Sequence, residues 1–489
     1  MKERLDNDAH PSVSVLLLID SLNDLYDTFN YECHACSVFY ALSLFMNTFL
    51  ETSSASILEK SERHIAGGVV SLNRKTNLNI VFARADGAAL YDAEGNSYID
   101  YHAAFAPHLL GHNHPEVTQA VRESLDSGWS LMGSGATQWE AELAESICRS
   151  VPNLERIQIL NTGSEASYLA IRLARAHTGR EDIVTTLGGY NGWHDEVGRA
   201  VMPSLTQVGP KVSPGEYPYS PISAGIPVST QKRIHTVNFN DLDSIEYVFR
   251  RHSVACFITE PVLHNVGVVL PKKNYLQGVR DLCDRYGVIF IMDEVKTGFR
   301  SALGGYQSVS GVCPDLSIFG KAIANGYPMG VLGGRKAIMD LVADPDPRKR
   351  VLVAGTYNGH PINVAGALAT LKVLQRDGGA VYEEINKKAD RLVTGLAQLF
   401  KDASIEVAIP RNASAWCIYF MDHMPTDWHD ILQNHDFDLD VKFRLGLIKE
   451  GIYIFPTACK QGSVSASHTD EDIENTLNKA AQVIARLKQ

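Results

Sequence analysis

No run of about 18 to 20 uninterrupted apolar residues occurs in this 489-residue chain, so a membrane-spanning helix is not expected. The longest apolar stretches, Val13 to Ile19 and Val38 to Leu50, are shorter and suit helices docked on an apolar surface. Acidic residues and a lysine precede the first, and nothing like a cleavage site follows it, which speaks against a secretory signal. Also missing is any block of about five or six like charges. The net charge of −11 is spread along the chain, so neither nucleic acid nor an anionic membrane is an expected partner. An anionic small molecule is not excluded, because its site needs only one or two local cations. Cysteine is sparse: there are eight, mostly in apolar segments such as Val254-Ala255-Cys256-Phe257-Ile258, where a thiol acts as a small hydrophobe. No disulfide framework is expected, and the cytoplasm is the expected location. Cys33-His34-Ala35-Cys36 has redox or metal spacing, but no second pair follows and no metal is expected. Internal repeats and low-complexity tracts are absent, and the sequon Asn412-Ala413-Ser414 reads as chance without a secretory route.

What is present can build a large core, at 45 % hydrophobic composition. Residues 1 to about 55 are patchily apolar and carry no recognisable chemistry. From about residue 60, turns at Asp86-Gly87 and Asp92-Ala93-Glu94-Gly95-Asn96 separate short apolar runs, the pattern of a small strand meander. Between about 110 and 335 the rhythm is strand, loop, helix. Ile157 to Leu160, Ile183 to Thr186, Ala255 to Thr259, Val288 to Met292 and Leu316 to Phe319 are short apolar runs ending near turn or polar residues. Buried strands alternating with helices imply an α/β fold with a mainly parallel sheet covered on both faces. Later segments, Asn363 to Leu374 and Val381 to Phe400, read as helices, and Thr469-Asp470-Glu471-Asp472 reads as a capping box before a final one.

Ligands in open parallel sheets bind beyond the carboxyl ends of the strands, so the residues just after each run carry the functional signal. Thr162-Gly163-Ser164-Glu165-Ala166 could present backbone N–H groups to an anion, or Ser164 could simply cap the helix. Asp293, emerging from Val288-Ile289-Phe290-Ile291-Met292, is poorly placed to be solvated and needs a cationic partner or hydrogen bonds. A protonated pyridine nitrogen is such a partner; a structural acid capping the next turn is the alternative. Lys321 follows Leu316-Ser317-Ile318-Phe319-Gly320 and could lose hydration there, favouring the neutral amine that imine chemistry needs. A lone loop lysine is more often a solvated charge. In Gly188-Gly189-Tyr190-Asn191-Gly192, glycines allow close backbone approach and Tyr190 could lie flat on an aromatic ring.

These four segments, by their order and spacing along the chain, resemble the class III aminotransferases of pyridoxal phosphate (PLP) fold type I, closest to the glutamate-1-semialdehyde aminomutase-like group. The likeness runs from about residue 60 onward and includes Gly111-His112-Asn113-His114-Pro115, Glu260-Pro261-Val262, Asp293 to Arg300, Pro314 to Lys321 and Gly355-Thr356-Tyr357. It implies a PLP-binding domain at 111–335 and a smaller α/β domain from the N- and C-terminal parts, 59–110 and 336–489. Residues 1–58 would be an extension without a matched role. The resemblance further implies that Lys321 holds PLP as a Schiff base and moves the proton, Asp293 pairs with the pyridine nitrogen, and Val295 and Tyr190 pack on the two ring faces. Gly163 and Ser164 would hold the phosphate, Asn265 the ring hydroxyl, and Thr356 the phosphate of a neighbouring subunit, which implies a homodimer. Arg74 matches an arginine that binds the substrate carboxylate, a role a guanidinium suits, although a surface cation is the plainer reading.

Three departures surround the substrate. Lys460, in Phe455-Pro456-Thr457-Ala458-Cys459-Lys460, stands where the aminomutases carry an acid; Phe105 replaces a tryptophan; Asn191 replaces a histidine. With the cofactor residues kept, an aminotransferase acting on an amine and a keto acid is expected. An aminomutase is the alternative, and a catalytically silent PLP-binding protein a third reading.

Overall fold

The five short apolar runs between residues 157 and 319 are too short for buried helices and are bounded by turn residues, and each folds as a strand. The computed structural model describes residues 53–487. Cys33 and Cys36, the apolar runs Val13 to Ile19 and Val38 to Leu50, and most of the 1–58 extension lie outside the described residues. The described residues divide into two compact units, 53–84 with Tyr91–Ser97, and Ala85–Leu90 with 98–487. In the first, helix Ser54–His64 is capped by the Ser53 side chain, and Ser54 binds Glu94 through its amide at 2.8 Å and its hydroxyl at 2.7 Å. Arg74 ends the short turn Leu72–Arg74 and is exposed. Three short strands stand where the sequence suggests a meander: β1 Phe82–Asp86, β2 Ala89–Asp92 and β3 Ser97–Asp100. The unit boundary runs through them.

The second unit is built on a seven-stranded sheet: β4 Arg156–Leu160, β5 Asp182–Thr186, β6 Ile234–Val237, β7 Val254–Thr259, β8 Ile289–Asp293, β9 Leu316–Gly320 and β10 Gly330–Gly334. Their order is β4-β10-β9-β8-β7-β5-β6. Neighbours from β9 to β6 are parallel, and β10 runs antiparallel to both β9 and β4. Side chains alternate between two cores, as the pleat requires. On β8, Ile289 and Ile291 join Leu169 and Leu173 of helix Gly163–Thr178, while Phe290 and Met292 join Val279 and Leu282 of helix Tyr275–Tyr286. Burial on both faces is why these strands read as continuous apolar runs.

Strand β10 was not legible because it is Gly-Val-Leu-Gly-Gly, poor in strand formers. A Cβ at Gly330 would run into the Thr162 carbonyl, so close passage of the helix entry requires glycine there. Beyond the sheet, helices Ala380–Asp402 and Asp470–Leu487 share a core through Leu392, Leu396, Ile473 and Val483. The capping box is present: Asp472 N donates to the Thr469 hydroxyl at 3.0 Å and Thr469 N to Asp472 Oδ2 at 2.8 Å. A small antiparallel sheet, β11 Arg411–Asn412, β12 Ala415–Trp416 and β14 Gly462–Ser463, and strand β13 Ile452–Tyr453, paired in parallel with β3, complete the unit. Asn412 of the sequon is buried and donates to Ser301. Among the described residues no helix is long and apolar enough to cross a membrane, and every cysteine is a free thiol.

Candidate active site

Strand β8 ends on two consecutive acids that alternation sends to different neighbourhoods. Glu294 accepts hydrogen bonds from Thr297 Oγ1, Tyr306 N, Gln307 N and Gln307 Nε2, which makes it the clamp of the following turn. Asp293, equally buried, has only two donors among the described residues, Asn191 Nδ2 at 2.8 Å and Val295 N at 3.0 Å. Both are neutral. Burial raises the Asp293 pKa, opposed by these hydrogen bonds and by the charge of Lys321. A buried carboxylate so placed has room for a cationic partner.

Lys321 comes one residue after β9, the strand paired with β8. Its φ of 49° lies in the left-handed region, a conformation that costs a non-glycine residue about 1 to 3 kcal/mol and that clusters at functional sites. Nζ has no hydrogen-bond or ion-pair partner among the described residues. Burial lowers its pKa, against the charges of Asp293 and Glu260, and so favours the nucleophilic free amine.

The loop after β5 is pressed into place by glycine: at Gly188, with φ of 84°, a Cβ would lie 2.7 Å from Trp428 Cβ. Tyr190 N donates to Glu260 Oε1 at 3.0 Å, and His264 N to Glu260 Oε2 at 3.0 Å. Burial raises the Tyr190 phenol pKa, while a hydrogen bond with Ser164 opposes the shift. Asn265 is buried after β7 and donates to Gly188 O at 3.1 Å.

At the start of helix Gly163–Thr178 the sequence left Ser164 open as the cap. The structure corrects this: Thr162 is the N-cap, its hydroxyl accepting from Glu165 N at 3.2 Å and Glu165 Oε2 accepting from Thr162 N at 2.9 Å. Gly163 and Ser164 therefore form the first turn, where amide donors lack helical partners. A Cβ at Gly163 would meet Val295 Cγ2 at 2.9 Å, so glycine leaves a cradle between the helix start and Val295.

The structure thus brings together Gly163, Ser164, Tyr190, Asn265, Asp293, Val295 and Lys321. Thr356 is exposed on the loop before helix Pro361–Gln375 and Arg74 lies in the first unit. Sequence reasoning gave four groups here no role, although Asn191 was noted as a departure. Asn191 orients Asp293; Glu260 follows an apolar strand much as Asp293 does, so the same rule would have found it. Lys296 donates to His264 O at 3.0 Å and Gln461 Oε1 at 3.2 Å. Lys460, noticed only as a departure, donates to Asn265 O at 3.0 Å.

A mainly parallel sheet with a lysine, a buried acid and a glycine–serine helix start at neighbouring strand ends defines a PLP enzyme of fold type I. The family model of class III aminotransferases matches residues 70–420, and the chain belongs to that family. It is 38 % identical over 426 residues to a glutamate-1-semialdehyde 2,1-aminomutase of Methanothrix thermoacetophila, covering 87 % of this chain and 95 % of that one. Among solved structures it is similar to an omega-transaminase of Sphaerobacter thermophilus, with TM-score 0.81 and 26 % identity over 90 % of this chain and 98 % of the other. It is also similar to a beta-phenylalanine aminotransferase of Variovorax paradoxus, with TM-score 0.75 and 25 % identity over 96 % and 98 %. The cofactor is PLP. The residues present fit it: Asp293 has only neutral donors, Lys321 Nζ is unpaired and the glycine cradle faces Val295.

Proposed function

We propose that this enzyme is an aminotransferase, moving an amino group from an amino acid or related amine to a keto acid. The observation that carries the reading is Lys321 and Asp293 at the ends of paired strands β9 and β8, with Asn191 fixing the acid. Bound PLP supplies the electron sink that loosens a bond at the amine-bearing carbon. Lys321 would hold the cofactor, and its amine, whose protonation burial disfavours, would take and return the proton at that carbon. Asp293 faces the ring nitrogen, and its two donors hold the carboxylate in one orientation. Tyr190 and Val295 flank the ring and Asn265 bonds its hydroxyl. Gly163 and Ser164 hold the phosphate at the positive helix end. Thr356 completes the phosphate site of a second copy. The exposure of Leu352 at 70 % and Tyr357 at 62 % on the same loop supports such a homodimer.

The 38 % identical relative favours a second reading, an aminomutase that rearranges one substrate without an external acceptor. Against it stand Lys460 in the segment where the aminomutases carry an acid, and Phe105 in place of tryptophan. An amine-donor screen with and without a keto acid decides. Conversion that requires the keto acid supports transfer; product from a single substrate alone supports the mutase. Bound cofactor with no conversion of any donor would leave only a binding role.

A further inference from the structure

Among the described residues, two lysines near the cofactor residues have no acid within ion-pair distance. Lys296 Nζ bonds a backbone carbonyl, His264 O, and a neutral amide oxygen, Gln461 Oε1. Lys460 Nζ bonds Asn265 O at 3.0 Å, reaches Asn265 Oδ1 at 3.5 Å and touches Met202 Sδ at 2.8 Å. The acid whose charge both lysines feel, Glu260, turns its two oxygens to the amides of Tyr190 and His264 instead. Arg300 adds further positive charge beside Lys296. Three chain segments create the arrangement, since Lys296 and Lys460 anchor on the consecutive residues His264 and Asn265, and Gln461 follows Lys460.

We infer that Lys296 and Lys460 form a subsite for a carboxylate of the substrate, next to Asn265 on the ring-hydroxyl side. A lysine kept only to tie two loops together is a costly choice. A glutamine bonds a carbonyl without the penalty of removing an ammonium from water. Both lysines are only partly buried, so an incoming ligand has access to them. A carboxylate supplies the charge that the local donors lack, and an ammonium is a compact partner for it. The inference rests on the proposed function only in naming that ligand as substrate: an amino acid or keto acid rather than a simple amine.

The test uses the PLP-loaded enzyme and needs no turnover. Glutarate and its uncharged analogue glutaramide are titrated by calorimetry and by the visible absorption of the cofactor. Wild type should bind glutarate and not glutaramide. Lys296→Gln and Lys460→Gln should each weaken glutarate binding about tenfold or more while keeping cofactor content, and Lys460→Arg should restore most of it. Wild-type affinity in both glutamine variants would overturn the subsite. So would a wild type that binds glutarate no better than glutaramide. Variants that shed cofactor and melt early, with Lys460→Arg no better, would show a structural tether instead. Absence of transamination with these binding results intact would count against the aminotransferase reading alone.

Discussion

Replacing Asn191 with alanine removes one of only two hydrogen bonds that orient Asp293, at a position that is itself buried. A hydrogen bond to a charged group is worth about 1.5 to 3 kcal/mol. With about 1.4 kcal/mol per tenfold, Asn191→Ala should weaken PLP binding about 10- to 100-fold. The sign of the pH effect follows from the same bond. A donor to the ionised carboxylate lowers its pKa, so losing it raises a value that burial has already raised. Asp293 is then less ionised at any given pH, and the deficit in affinity should be largest at low pH and shrink as pH rises. Equilibrium dialysis against PLP, read by visible absorption across about pH 6 to 9, measures both. Asn191→His, which restores the residue type of the aminomutase-like group, supplies a ring N–H and should recover most of the affinity. Wild-type affinity in Asn191→Ala throughout that range would refute the role given to this contact.

Three other outcomes are expected. Lys321→Ala should abolish both turnover and borohydride-reducible attachment of PLP, and a reducible adduct that persists on the variant would reassign the lysine. Gly163→Ala puts a Cβ 2.9 Å from Val295 Cγ2 and should cost about 1 to 3 kcal/mol in thermal unfolding, with loss of cofactor. Val295→Ala in the same chain should recover part of that, and strictly additive losses would argue against the contact. The buried imidazole of His468 is held neutral, its pKa lowered to about 4 by burial, whereas in the unfolded chain it titrates near its ordinary value. Since the unfolded chain then binds more protons between about pH 6.5 and 4, stability should fall with pH across that window. The slope from this group alone is about 1.4 kcal/mol per pH unit. Urea unfolding at several pH values checks it, and a flat profile would refute the neutral burial.

Legibility in the sequence followed burial. Strands β7, β8 and β9 were visible because both faces are covered and most positions are apolar. Strands β6 and β10 were not, because Ile234-His235-Thr236-Val237 is half polar and Gly330-Val331-Leu332-Gly333-Gly334 has its side chains removed to let neighbours pass. Asp293 could be singled out by its place after an apolar strand. Its neighbour Glu294 carries the same local signal, and only the turn at residues 305–307 shows that it is structural. Thr162 and Ser164 are likewise both good caps on paper, and the direction of one side chain decided between them.

By itself the sequence determined the α/β class and the family and singled out Lys321 and Asp293 as candidates, since these depend on residue types held at short range behind buried strands. The tertiary structure alone decided what surrounds them. It brought Asn191 to Asp293 across 102 positions and Lys296 to Gln461 across 165. Such pairs leave no periodicity or spacing to read, because the sheet order and not the chain order makes them neighbours. Lys321 and Asp293 were therefore legible, whereas the charge balance around them, and with it the kind of substrate they meet, became visible only in the fold.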